Sequence, residues 1–466
     1  MTKPQAYHPD PAILALGEGF FDPVAAADFP QAKLRFANRR WAEKVGLGDL
    51  DEEGWVSHFG RFEPLPANLA QPLALRYHGH QFRTYNPDIG DGRGFLFAQL
   101  RDEEGRLLDL GTKGSGQTPY SRFGDGRLTL KGGVREVLAT EMLEALGVNT
   151  SKSFALIETG EDLTRNDEPS PTRSAVLTRL SHGHVRIGTF QRLAFFEDKQ
   201  GLTKLVDYSL QNLFNKAPDS NALTLFQETA AATARLAASY LAAGFVHGVL
   251  NSDNINITGE SFDYGPWRFA PTWDEEFVAA YFDQGGLYAF GRQPEAIHWD
   301  LAQLGGCLAL IADGPALAEV LTSWPAMFEE ELISALVARL GIEPSDDDRT
   351  LVSALLKALR TQTVKIDRMF FDWRGGRLPD GYEGDEFAAL RQQIAGRTPV
   401  PHALNHDYWQ DPAPCSMLIE EVEAIWAAID RRDDWAPFDS KIAAIRRMGD
   451  AMTPPCVGPV PAGMMW

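Results

Sequence analysis

The chain has 466 residues, a formal net charge of −20 and 44% hydrophobic side chains. This length exceeds what one hydrophobic core accommodates, so two or three structural units are expected. The negative charge argues against nucleic acid as a partner, because phosphate-backbone binding rests on a positive surface. The sequence shows neither an apolar signal segment nor a run of about eighteen apolar residues, so we expect a cytoplasmic protein without a membrane partner.

Cysteine usage predicts neither a zinc site nor a disulfide framework. The three cysteines, Cys307, Cys415 and Cys456, lack C-x-x-C spacing. Three unlinked thiols are the simpler interpretation, and a regulatory disulfide that involves Cys415 or Cys456 is the alternative.

A glycine-rich turn followed by two strands is the first informative pattern along the chain. The turn covers 86–94, and the strands are predicted at 95–100 and 107–113, with Lys113 at the end of the second. This order is typical of the small lobe of a protein kinase. There the lysine pairs with nucleotide phosphates and with a glutamate on the next helix.

The next helix is predicted over 133–146. Glu136, Glu141 and Glu144 are candidate partners for Lys113, and the apolar periodicity places Glu141 nearer the apolar face than Glu136. A solvated helix face is the alternative role for these glutamates.

Strands at 153–158 and 174–180 follow, and then a helix at about 223–243, which leads directly into a kinase-like loop. Asn254 lies seven residues after His247, as in the kinase motif H-R-D-x-x-x-x-N. The position of the usual base is Val249, however, and Asp253 stands directly before the asparagine. The loop therefore keeps Asn254, which corresponds to the metal-binding asparagine of kinases, while the candidate proton acceptor is at Asp253 instead of at position 249.

A short hairpin is predicted from 255–258 and 261–262, with Asn254 and Asp263 at its two ends. Amide and carboxylate oxygens placed a few ångströms apart can bind one hard cation. From His298 onward the pattern is almost wholly helical. His182, His184 and His247 are too scattered for a zinc site, so we expect structural roles for them.

Several ordered motifs between about Tyr77 and Trp273 together resemble the selenoprotein O family. They are the runs 90–94 and 110–116, the run 118–127, and the loop 247–265. The resemblance implies a kinase-like fold and an enzyme that transfers AMP from ATP to Ser, Thr or Tyr hydroxyls of proteins. It also implies a nucleotide that is flipped relative to an ordinary kinase.

The resemblance also implies a role for each matching residue. ATP would be bound by Gly90, Gly92, Arg93, Lys113, Asp125, Gly126, Arg179, Arg186 and Asp263. Asp253 would be the proton acceptor, and Asn254 and Asp263 would hold Mg²⁺ or Mn²⁺. For the partner of Lys113 the resemblance favours Glu136, against the periodicity.

Elementary chemistry agrees with these roles. When AMP is transferred, pyrophosphate leaves, and fixed cations must meet its growing charge. The guanidinium group of arginine can donate two hydrogen bonds to phosphate oxygens. The turn at Asp125-Gly126 could direct backbone N–H groups towards the same oxygens. Taken singly, each residue has an ordinary alternative: a surface turn for 90–94, an exposed strand end for Lys113, and salt bridges for the arginines.

The predicted fold class is α+β: a protein-kinase-like bilobal fold with a small β-rich lobe, a larger helical lobe and a C-terminal helical extension. The boundaries are an N-terminal segment at 1–75, the small lobe at 76–180, the large lobe at 181–375 and the extension at 376–466. The end of the chain lacks the terminal cysteine or selenocysteine of many family members, which argues against redox regulation through that residue.

Three functions fit the sequence. A protein adenylyltransferase that uses ATP, a metal ion and protein substrates with acceptor hydroxyls is preferred. The alternatives are a kinase-type phosphotransferase and a catalytically silent nucleotide-binding scaffold. The pair of metal-type residues, Asn254 and Asp263, argues against the scaffold. The sequence makes no prediction of the oligomeric state.

Overall fold

The computed structural model of the chain describes residues 6–166, 168–217 and 220–453. The tail beyond Thr453, with Cys456 and the predicted end of the C-terminal extension, lies outside them. Cys307 and Cys415 are free thiols. None of the helices in the described ranges is long and apolar enough to cross a lipid bilayer.

The described residues form a mixed α/β fold whose largest sheet has eight strands. The path runs β1-β3-β6-β7-β10-β9-β2, with β8 paired to β10, and these pairs are antiparallel. The strands are β1 (Phe21–Pro23), β2 (Lys33–Ala37), β3 (Leu73–Leu75), β4 (Gly79–Gln81), β5 (Thr84–Asn86), β6 (Leu96–Arg101), β7 (Leu107–Lys113), β8 (Leu128–Thr129), β9 (Lys152–Leu163), β10 (Thr172–Ser181), β11 (Phe245–Val246) and β12 (Arg268–Phe269).

Helices precede, cover and follow this sheet. They are α1 (Arg39–Lys44), α2 (Glu52–Gly60), α3 (Leu130–Ala145), α4 (Ile187–Phe195), α5 (Lys199–Asn212), α6 (Ala222–Ala243), α7 (Gln293–Leu308), α8 (Gly314–Leu340), α9 (Asp348–Arg360), α10 (Ile366–Asp372), α11 (Asp385–Ile394), α12 (Ile419–Arg432) and α13 (Ala436–Met452). Helix α3 packs on β9 and β10, and α13 packs on α3.

Buried apolar side chains form separate clusters on the two faces of the sheet and among the later helices. One cluster, with Trp55 and Phe59, joins α1 and α2 to one face of the sheet. The largest cluster joins α3 to α6, α7 and α13. Another holds α8, α9, α10 and α11 together. The N-terminal strands β1 and β2 extend the main sheet, since β1 pairs with β3 and β2 with β9.

We call the kinase-like loop 247–265 the catalytic loop, by analogy with the kinase motif. Most of the predicted elements before it are confirmed, with shifted ends. β6 and β7, α3 and α6 form where their turn residues and apolar periodicity indicate. The hairpin predicted over 255–262 is wrong. Asn256 forms a bridge with Arg186, and Ser261 forms one with Thr150, so the two halves pair with other parts of the chain.

A small hairpin, β4–β5, packs against the loop that follows β11. This loop contains a short 3-10 helix, Ser252–Asn254, and the helix contacts both β4 and α4. Gly79 in β4 allows the close approach, because a Cβ there would lie 2.7 Å from Asp253 Oδ1. The hairpin therefore shapes the immediate surroundings of Asp253.

Candidate active site

One cavity of about 760 Å³ brings together nearly all the residues singled out by the sequence. Its lining includes Gly90, Gly92, Arg93, Lys113, Asp125, Gly126, Arg179, Arg186, Asp253 and Asp263. They come from the glycine-rich turns, from β7 and β10, and from both ends of the loop after β11. Asn254 is the one predicted site residue that does not line this cavity.

Two cations and two carboxylates form a cluster at the cavity wall, in which Lys113, Arg179 and Glu136 are buried and Asp263 is partly exposed. Lys113 Nζ lies 2.6 Å from Glu136 Oε2 and 2.8 Å from Asp263 Oδ1. Arg179 Nη1 contacts the same carboxylates at 3.4 Å and 3.3 Å. Since the register pairs Arg179 with Gly111, neighbouring strands present the two cations to the same carboxylates.

The partner of Lys113 is Glu136, as the family resemblance indicates, and the preference of the periodicity for Glu141 is wrong. Glu141 instead accepts two hydrogen bonds from Arg446, each 2.7 Å long. Periodicity could not separate the two glutamates because α3 is covered on several sides, and both side chains are buried.

Asp263 is held in its ionised form by surrounding cations. Burial alone would raise the pKa of this carboxyl, but Lys113, Arg179 and Arg93 hold the pKa of Asp263 well below its usual range. Its backbone has φ of 63°, a conformation that non-glycine residues seldom adopt. Such local strain is typical of functional positions.

Arg186 lies between two residues that the sequence reasoning missed. Its Nη2 donates to Asp91 Oδ1 at 3.2 Å, and its guanidinium carbon lies 4.3 Å from the ring centroid of Tyr77. Asp91 could have been found, because it stands inside the motif 90–94. Nothing local in the sequence marks Tyr77.

Asp253 is a buried carboxylate with one unpaired oxygen. Its Oδ1 has no hydrogen-bond partner among the described residues, and Arg186 Nη1 donates to its backbone carbonyl at 3.3 Å. Burial raises the pKa of Asp253 to about 6, although Arg186 opposes the shift. A carboxylate with a pKa near the working pH is suited to accept a proton.

The loop that carries Asp253 is braced by a polar network that has no signature in the sequence. The His80 amide donates to Ser252 Oγ at 2.7 Å, and Ser252 Oγ donates to Gln191 Oε1 at 2.6 Å. Gln191 Nε2 lies 2.6 Å from His80 Nδ1, which closes the network. A side chain of α4 thereby links hairpin β4–β5 to the catalytic loop.

The glycine-rich turns also line the cavity. Gly90 packs so closely that a Cβ would lie 2.5 Å from the ring of Tyr120. Asp125 lines the cavity but has its ion-pair partner outside the predicted set of site residues. It pairs with Arg165 at 2.8 Å, and Gly126 adopts φ of 70° beside it.

Oxygen ligands for a cation are available at the ends of the catalytic loop. Asn254 Nδ2 donates to the Val249 carbonyl at 3.0 Å, so its amide nitrogen is occupied. Asp263 is ionised, and carboxylate and amide oxygens suit Mg²⁺ or Mn²⁺. Among the described residues, no group of three or more His, Cys, Asp or Glu side chains forms a metal site by itself. The chemistry of the Asn254 and Asp263 side chains is compatible with a hard cation.

Comparison with known proteins matches almost the whole chain. A family model described as protein adenylyltransferase SelO matches residues 5–394. The protein nucleotidyltransferase YdiU of Synechocystis sp. is 40% identical over 472 residues, covering 94% of this chain and 97% of that protein. Its counterpart in Gloeobacter violaceus is 41% identical over 464 residues, covering 94% and 95%. The chain therefore belongs to the protein adenylyltransferase SelO family.

Proposed function

We propose that the protein transfers AMP from ATP to Ser, Thr or Tyr hydroxyls of other proteins and releases pyrophosphate. The observation that carries this proposal is the cavity whose lining brings the carboxylate residue Asp253 together with four cationic residues, Arg93, Lys113, Arg179 and Arg186. Family membership adds the reaction class, since the matching family and the named relatives are adenylyl- and nucleotidyltransferases of proteins.

In this reaction the acceptor oxygen attacks the α-phosphorus of ATP. The bond from that phosphorus to the β-phosphate oxygen breaks, and the hydroxyl proton passes to Asp253. The raised pKa of Asp253, about 6, leaves this carboxylate ionised at neutral pH yet basic enough to accept a proton. Its burial excludes water that would otherwise compete as a proton acceptor.

The leaving pyrophosphate gains negative charge, and we assign its stabilisation to Lys113, Arg93, Arg179 and Arg186. Contacts with Glu136 and Asp263 fix Lys113 and Arg179 in place before the nucleotide binds. Preorganised charge of this kind needs little rearrangement during the reaction. Gly90, Gly92, Asp125 and Gly126 would shape the nucleotide-binding wall.

Asn254 and Asp263 are proposed to hold Mg²⁺ or Mn²⁺. Such a cation would neutralise phosphate charge and orient the nucleotide. The ionised state of Asp263 supports this assignment, because a neutral carboxyl would be a poor ligand. The amide nitrogen of Asn254 is engaged by Val249, which leaves its oxygen as the atom for a cation.

We also propose a kinase-like division of the chain, with a small lobe at 76–180, a large lobe at 181–375 and an extension at 376–466. The lysine on β7, its glutamate on α3 and the long α6 before the catalytic loop support it. The segment 1–75 would add β1, β2 and β3 to the sheet of the small lobe.

The decisive experiment compares ATP labelled at the α-phosphate with ATP labelled at the γ-phosphate. We expect the α-label to enter protein and pyrophosphate to be released, and we expect this in the wild type but not in Lys113→Ala. Transfer of the γ-label alone would indicate a kinase. Transfer of neither label would indicate a silent nucleotide-binding scaffold.

A further inference from the structure

Three exposed aromatic side chains form a continuous surface close to the catalytic loop. The ring centroids of Phe82 and Phe282 lie 5.9 Å apart, and those of Phe282 and Tyr281 lie 5.2 Å apart. Phe82 is 38% exposed, Phe282 47% and Tyr281 79%. We call these three residues the aromatic patch. Clustered apolar side chains on a surface commonly mark a protein interaction site.

The chain adopts an unfavourable backbone conformation to present Phe82. The two-residue turn between β4 and β5 consists of Phe82 and Arg83, with φ of 48° and 61°. Hairpin turns with positive φ at both central residues favour Asn and Gly, because side chains with a bulky Cβ are strained there. Phe82 is kept at this unfavourable position with more than a third of its side chain exposed.

The aromatic patch is connected directly to the residues around Asp253. Gln81, the neighbour of Phe82, lines the catalytic cavity. The Phe82 amide donates to Asn251 Oδ1 at 3.0 Å, and the hydroxyl of Tyr288 donates to the same oxygen at 2.8 Å. The buried ring of Tyr288 supports Phe82 from below, with centroids 5.1 Å apart. The aromatic patch therefore begins at the residue that follows Gln81 of the cavity lining.

We propose that the aromatic patch docks an apolar side chain of the acceptor protein, carried on an extended segment near the hydroxyl that receives AMP. This inference rests on the proposed function, because a protein hydroxyl must reach Asp253. The acceptor must then cover the surface next to Gln81, where the aromatic patch begins. Aromatic side chains are the residue type that most often dominates such contacts.

The size of the aromatic patch favours an acceptor segment over a second copy of this chain. At about 150–250 Å² per ring, the exposed fractions offer on the order of 300 Å². A stable dimer needs about 800 Å² from each partner. A single extended segment anchored by one apolar side chain fits the smaller area.

The test measures binding and transfer separately, with unfolded β-casein as the acceptor probe. Tyr281→Ala/Phe282→Ala should raise the KM for casein roughly tenfold or more, with ATP affinity unchanged. The matched control is Leu14→Ala, which removes a side chain that is also about half exposed but lies in the N-terminal 3-10 helix Ala12–Leu16. Its KM for casein should equal that of the wild type.

A series of peptides refines the test. Each peptide has one Ser as the acceptor and one Phe, and the position of the Phe relative to the Ser differs from peptide to peptide. The wild type should prefer certain Phe positions over the same peptides with Asp, and the double variant should lose this preference. An unchanged KM together with an unchanged peptide preference overturns the proposal. So does a wild-type dimer that becomes a monomer in the double variant, because the aromatic patch would then be a self-association surface.

Fluorescence anisotropy of labelled casein measures the Kd for casein binding in the absence of AMP transfer. A Kd that rises at least roughly tenfold in the double variant supports the docking surface, and equal Kd values overturn it. If the wild type binds casein through the aromatic patch but never incorporates the α-label into any protein, the proposed function fails while the docking surface stands.

Discussion

Arg446 on the last described helix makes two hydrogen bonds, each 2.7 Å long, to Glu141 on α3, 305 residues earlier in the chain. Helix α3 also carries Glu136, the partner of Lys113. The C-terminal helix α13 therefore braces the helix whose Glu136 contacts Lys113 in the cavity lining. This contact supplies a cationic partner for Glu141, which is buried outside the cavity lining.

Removing the Arg446 side chain should destabilise the fold. Arg446→Ala leaves the Glu141 carboxylate buried without its main partner, and we expect a loss of roughly 1–3 kcal/mol in the free energy of unfolding, measured in urea. The matched control is Arg447→Ala, because the neighbouring Arg447 makes exposed contacts to Asp407 and Asp411. Its effect should be clearly smaller, and equal losses would contradict a bracing role for Arg446.

Stability should depend on pH through Glu260. Burial raises the pKa of Glu260 to about 7, against the opposing effects of Lys152 and of the hydrogen bond from the His182 amide. Because this pKa lies above the ordinary value of 4.5, folding favours the neutral acid. The stabilisation is complete below the unfolded pKa and is lost as pH rises through the folded value.

Glu260→Gln should remove this pH dependence. The variant keeps an acceptor for the His182 amide, so it should gain on the order of 3 kcal/mol relative to the wild type between pH 4.5 and pH 8, as measured by urea unfolding. Glu276→Gln, at an exposed position, should follow the wild-type profile. Parallel profiles for wild type and Glu260→Gln would contradict the raised pKa.

Asp253→Ala should lose roughly 10²- to 10⁴-fold in the rate of AMP transfer, the usual effect of removing a general base. ATP affinity should change much less, because other residues hold the phosphates. Lys113→Ala is the comparison variant and should weaken both ATP binding and rate. Full activity in Asp253→Asn would show that the proton acceptor lies elsewhere.

Asp263→Ala should abolish transfer, because the loss of the cation and its charge stabilisation costs several kcal/mol. Binding of Mn²⁺ in the presence of ATP, followed by electron paramagnetic resonance, should weaken in parallel. The control is Asp274→Ala, whose carboxylate lies outside the cavity lining and should leave Mn²⁺ binding intact. Full activity of the wild type in excess EDTA would refute the metal assignment.

Gln191 should act as a positioning residue. Gln191→Ala removes the partner of Ser252 and of His80, so Asp253 should lose its fixed placement. We expect kcat to fall by up to about 10²-fold with ATP affinity unchanged. Gln211→Ala, an exposed position on α5, is the control. A loss of ATP affinity in step with kcat would indicate general unfolding instead of positioning.

Local sequence determined the elements and most of the candidate site. Turn residues and apolar periodicity are short-range signals, so β6, β7, α3 and α6 could be predicted close to their observed positions. Ordered motifs placed Lys113, Arg179, Asp253 and Asp263 on the correct segments. All four then line one cavity.

Only the tertiary structure determines which of these side chains contact one another. Glu136 and Glu141 are both buried on α3, and only the packing of β7 on one side and α13 on the other assigns Lys113 to one and Arg446 to the other. The halves of the predicted hairpin at 255–262 instead pair with Arg186 and Thr150, which are more than 60 residues away in the sequence. The burial of the unpaired Asp253 oxygen and the contact of Phe82 with Phe282 also depend on packing between distant segments. Local sequence patterns carry no information about such packing, so neither feature could be predicted.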